Sequence, residues 1–145
     1  MAARRVVLTC AWIGALFFLV TGAWSLLAPH SFFDVVAGFP PYNRHLFHDE
    51  GAFKLGLAAG LLAAIFGRSG LAVGLWAGAV GASAHALSHW IDADLGGSST
   101  ASALLTVLAA ALAAGLVLAE TRRMQPRHES PPDDAGRLNS IVRGT

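Results

Sequence analysis

Charge is what this sequence has least of. Only 13% of its 145 residues are Asp, Glu, Lys or Arg, about half the share of an ordinary soluble domain. The charges are clustered and leave long stretches with none, which argues against a domain that folds in water. The net charge is +1. The arginines gather at the ends of apolar runs and in the C-terminal stretch instead of forming a stripe, so nothing points to nucleic acid as a partner. A single cysteine, Cys10, lies inside the first apolar run. No disulfide can form within the chain, and cysteine carries no information on redox compartment.

What takes the place of charge is four apolar runs, 6–28, 51–67, 71–91 and 101–119. Each approaches or exceeds the ~20 residues that cross a hydrocarbon core. The first could be a signal peptide, with Arg4 and Arg5 as its basic start. It is too long for that, and no small-x-small site precedes Pro29. Val7-Leu8-Thr9-Cys10 also lacks the small residue and the preceding apolar stretch of a lipobox. The run therefore reads as a retained helix. Asn43 reads as an N-cap, which starts the second helix near Arg44 and carries it to Phe66. Ser99 or Thr100 would cap the fourth helix. The expected fold class is all-α: a four-helix transmembrane bundle over residues 1–120, with spans of about 6–28, 44–66, 71–91 and 101–120. Residues 121–145 are rich in Pro, Asp, Arg and Ser. They cannot bury enough surface to offset their ordering entropy and are expected to be disordered.

Orientation follows from the basic residues. Arg4, Arg5, Arg68, Arg122, Arg123 and Arg127 fall on one side of an even number of spans, and only Arg44 and Lys54 lie toward the other. The positive-inside rule makes the first side the cytoplasm, so both termini are expected there in a multi-pass protein of the cell membrane. Trp24, Tyr42 and Trp90 then fall near the external interface. The segment 29–42, with Phe32, Phe33, Val35, Val36 and Phe39, is expected to lie along that interface.

Helices two and three carry small residues at helical spacing: Ala52, Gly56, Ala59, Gly60 and Ala63 on one, Gly74, Gly78, Gly81 and Ala82 on the other. The short Gly67-Arg68-Ser69-Gly70 turn makes the two helices antiparallel neighbours. A tight hairpin through these faces is expected. The fourth helix, also rich in Ala, is expected inside the bundle.

Ionisable residues inside a membrane are costly and usually mark a functional path. Here they collect toward one end. His45 and Asp49 are four apart and share a face, as do His85 and His89. Each pair continues the small-residue face of its own helix. Counting outward from the turn sets both pairs at about the same depth. The expected site is a metal centre of His45, Asp49, His85 and His89, with His48 and Asp92 as secondary candidates. Imidazole and carboxylate suit Zn, Fe, Mn or Cu. Such a metal would be held more weakly as pH falls toward ~6, because imidazole ligates in its neutral form. A b-type haem fits less well, since faces lined with small residues leave no space for it. The alternative is a hydrogen-bonded cap on the hairpin. Glu50 and Lys54 form a separate i, i+4 pair, expected to point away from the histidines as a salt bridge, or to serve as an acid/base or anion contact.

The stretch Tyr42-Asn43-Arg44-His45-Leu46-Phe47-His48-Asp49-Glu50-Gly51 resembles that of a group of small four-helix membrane proteins common in actinobacteria. They carry a similar Asn-x-His-Leu-x-x-Asp-x-Gly entry to helix two and a His-x-x-x-His pair late in helix three. The resemblance implies a shared pattern of Asn43, His45, Asp49, Gly51, His85 and His89, from which His48 departs, and it implies no activity. The functional expectation is an integral membrane protein with an outward-facing His/Asp cluster that binds a transition metal, with an apolar substrate from the outer leaflet if it is an enzyme. The alternative is a non-catalytic membrane subunit or scaffold. The expected partners are the lipid bilayer and either a second copy or another membrane protein.

Overall fold

The structure, a computed structural model, describes residues 2–67 and 70–124. Arg68, Ser69 and residues 125–145 lie outside the described residues; of the stretch 121–145 expected to be disordered, 121–123 are helical. Among the described residues every regular element is helical: α1 (Ala2–Leu27), α2 (Pro29–Phe32), a π-helical turn (Phe33–Ala37), α3 (Arg44–Phe66), α4 (Leu71–Ile91) and α5 (Ser99–Arg123). α1, α4 and α5 are long and apolar enough to cross a membrane. α3 has 23 residues, but any span-length stretch of it contains Asp49, Glu50 and Lys54.

Local sequence accounts for the ends. The Asn43 side chain accepts hydrogen bonds from the backbone N–H of His45 and Leu46, at 3.1 and 3.3 Å. These are two of the four donors that a helix start leaves open. The cap of α5 falls one residue earlier than expected, at Ser98, and makes no side-chain bond there. Between α1 and α3 the chain does not simply run along a surface. Gly38, left-handed at φ 48°, ends the π-helical turn, and Phe32 is buried against the edges of Trp24 and Phe47. Gly97, at φ 85°, receives the Phe39 ring where any side chain would collide with it, and its N–H donates to the Gly38 carbonyl. The two loops at this end thereby fasten onto each other.

The four long helices form a ring. α1 lies mainly against α3 and α4 mainly against α5, and lighter α3–α4 and α1–α5 contacts close it. Leu61, Leu75 and Leu112, all fully buried, meet at the centre. The closest crossing is between α1 and α3. A Cβ on Gly51 would stand 2.8 Å from the Gly22 carbonyl oxygen, and one on Gly22 would stand 2.9 Å from Lys54 Cβ. Backbones approach this closely only where both residues lack a side chain.

That crossing corrects the expected hairpin. α4 does use its small residues against α3: a Cβ on Gly74 would meet Ala64, and one on Gly78 would meet Leu61. The small residues of α3 are not their counterpart. Ala52, Gly56, Ala59, Gly60 and Ala63 are all exposed, and a Cβ on Gly56 or Gly60 would find nothing within 4 Å. The Gly22–Gly51 contact fixes the roll of α3, and at about 100° per residue the rest follows. Phe47, Lys54, Ala58 and Leu61 turn inward with Gly51. Asp49, two residues from Gly51, lies on the opposite side.

Candidate functional site

The inward roll of α3 buries a charge. The Lys54 side chain is 8% exposed and its Nζ lies 2.5 Å from Glu50 Oε1, one turn back on the same helix. The ammonium also sits 4.7 Å from the centre of the Phe32 ring, whose electron-rich face attracts a cation. On α1, Ser25 Oγ donates to the Phe47 carbonyl at 2.7 Å, and Glu50 Oε2 stands 3.4 Å from Ser25 Oγ. Each charge therefore has a partner, which a charge so buried needs if the fold is to tolerate it. The pair is held by three elements: α3 supplies both ions, the loop helix α2 supplies Phe32, and α1 supplies Ser25.

α4 completes the site. The His85 and His89 rings lie 5.0 Å apart, and Phe39 meets His89 edge-on at 5.2 Å. The Nδ1 atom of His89 is buried with no hydrogen-bond partner among the described residues. Buried polar atoms are nearly always satisfied, so one that is not marks a place where another molecule could bind.

Three cavities meet at these side chains. A groove of about 720 Å³ opens sideways between α3 and α4 and reaches Glu50, Lys54 and His85 past Phe53, Gly56 and Gly81. A small inner cavity of about 100 Å³ lies against Glu50, Lys54, His85 and His89. A mouth of about 580 Å³ opens at the end of the bundle between Pro41, Leu46, His89 and Asp92, with Glu50 and His85 at its base. Glu50 and His85 border all three. The sideways groove exists because the small residues of α3 and α4 leave a furrow that no neighbouring helix fills.

The residues expected to hold a metal divide into two groups. His85 and His89 come together as expected, and Asp92 borders the mouth above them. His45 and Asp49 do not join them. They pair with each other at 3.4 Å on the outer face of α3, where their side chains are 85% and 56% exposed. His48 is half-buried and lines none of the three cavities. Among the described residues, no group of three or more His, Cys, Asp or Glu side chains is placed to hold a metal ion. The four-ligand centre is not formed, because α3 is rolled by about half a turn from the orientation it requires. The histidines face Glu50 and Lys54, the pair expected to point away from them. The spacing of Phe47, Gly51, Lys54, Ala58 and Leu61 could have revealed this, since it matches a stripe on α1 that includes Gly14, Phe18, Gly22 and Ser25. Comparison with protein-family models, with curated proteins and with solved structures finds no match to this chain, so the reading of the site rests on its own residues.

Proposed function

We propose that the chain is a four-span membrane protein with both termini cytoplasmic, and that it binds an amphiphilic molecule drawn from the outer leaflet. The apolar part of the ligand occupies the α3–α4 groove. Its polar end, a group able to accept hydrogen bonds, meets Lys54, His85 and His89. One observation carries this reading: an open furrow on the bundle's flank leads to a buried ion pair and His85, and the inner cavity that shares these residues is also bordered by His89, whose ring nitrogen is unsatisfied. Pockets that bind small molecules are mostly apolar with a few convergent polar groups, and this one has that character. In this reading α3 is the fourth span. Glu50 and Lys54 are tolerated there because they are paired and turned inward, and Asp49, on the outer face, pairs with His45.

Orientation rests on the arginines. A reporter fused after Thr145 is expected to report from the cytoplasm and one inserted at Gly97 from outside; an external C-terminus would overturn the topology.

A structural reading has its own support, since Glu50 and Lys54 satisfy each other without a ligand. The double variant Glu50→Gln/Lys54→Met separates the two readings. Removing both partners of a buried pair is close to neutral for folding. A diazirine-bearing phospholipid, photoactivated in membranes, is expected to label Phe53 and Gly81 in the native chain. In the double variant that labelling should fall while the melting temperature holds. Labelling unchanged in a stable double variant would leave the pair with a structural role alone.

A further inference from the structure

At the opposite end of the bundle a second groove, of about 250 Å³, is bordered by Arg4 on α1, by Gly70 and Leu71 at the start of α4, and by Arg122 and Arg123 on α5. Arg123 is partly neutralised by Glu120, 3.7 Å away, and Glu120 also accepts from the Trp76 indole N–H at 3.1 Å. Arg4 and Arg122 have no carboxylate partner among the described residues. Guanidinium groups from two helices thus face one opening with net positive charge. The guanidinium fork matches the oxygen geometry of a phosphate, which it can hold through two bonds at once.

Depth decides which phosphate. The arginines stand where the apolar stretches of α1 and α5 end, which is the level of lipid headgroups if these helices cross a bilayer. The groove also has an apolar part made by Val7, Ala72 and Ala119. A free anion would gain nothing from that lining, whereas the glycerol and first methylenes of a lipid would. We propose that this groove binds the phosphate group of an anionic phospholipid. Basic pockets between spanning helices are suited to such headgroups. The inference is independent of the ligand site at the other end. It needs only that this end of the bundle meets a membrane surface.

The test uses the full chain in phosphatidylcholine nanodiscs with and without phosphatidylglycerol, read by thermal unfolding and by the lipids retained in native mass spectrometry. Phosphatidylglycerol is expected to be retained selectively and to raise the melting temperature. Arg4→Gln/Arg122→Gln should weaken that retention on the order of tenfold, since two of three headgroup-facing charges are lost. Arg4→Lys/Arg122→Lys should keep part of it, and Arg44→Gln, at the other end, all of it. Equal retention of the two lipids, or undiminished selectivity in the glutamine variant, would overturn the proposal. So would an equal melting shift from inorganic phosphate in detergent, which would assign the groove to a soluble anion.

Discussion

One face of α3 carries Phe47, Gly51, Lys54, Ala58 and Leu61, and the other carries His45, Asp49, Ala52, Gly56 and Gly60. Both hold glycine, alanine and ionisable side chains, yet the first is buried and the second is exposed. The difference is the partner. Gly51 meets Gly22 on α1, where the two backbones nearly touch, whereas a Cβ on Gly56 or Gly60 would point into open space. In lipid, hydrophobicity does not draw helices together, so close packing decides which small-residue stripe is used. The burial of Lys54 follows from that choice, because it lies about one turn from Gly51. The outer stripe then forms one wall of a groove.

The strongest way to break this comparison is to fill the two faces in turn. Gly51→Leu is expected to abolish stable folding, since even a Cβ there collides with backbone atoms of Gly22 and Leu26. Gly60→Leu, on the open face, is expected to leave the melting temperature close to that of the native chain, because the helix gains from losing a glycine. Comparable losses from both would mean that the outer stripe is also packed. A smaller effect is expected at the loop that roofs the ion pair. Phe32→Ala removes a fully buried ring and is expected to cost about 3 kcal/mol, while Val35→Ala, on the exposed side of the same segment, should change unfolding little. Smallest of all is the effect expected at His45 and Asp49, two of the four residues expected to hold a metal. His45→Ala/Asp49→Asn should shift stability by no more than about 0.5 kcal/mol, as exposed pairs do. It should also leave the labelling of Phe53 unchanged.

The helix ends were legible in the sequence because they depend on local chemistry. Asn43 caps α3 through its own side chain, and the apolar runs match α1, α4 and α5 within a few residues. His85 and His89 were legible as a pair because a four-residue spacing on a helix leaves them no other arrangement. The roll of α3 was not. Two stripes on that helix satisfied the rule for close packing, and the residue that decides between them, Gly22, lies on another helix some thirty positions away in the chain. The charged partner of the histidines was misplaced with it. Trp76 shows the same limit: its indole N–H reaches Glu120 on α5. No local pattern announces a contact between residues so distant in sequence.

The central claim is that Glu50 and Lys54 form a buried pair on the inner face of α3, at the end of the groove between α3 and α4. A double-mutant cycle on thermal or denaturant unfolding in detergent tests it most directly. Lys54→Met alone should cost about 3 kcal/mol by leaving Glu50 unpaired. In the Glu50→Gln background the same substitution should cost little, giving a coupling of at least about 1 kcal/mol. Small, additive losses would contradict the account, because they would place the pair on the outer face, where His45 and Asp49 now stand.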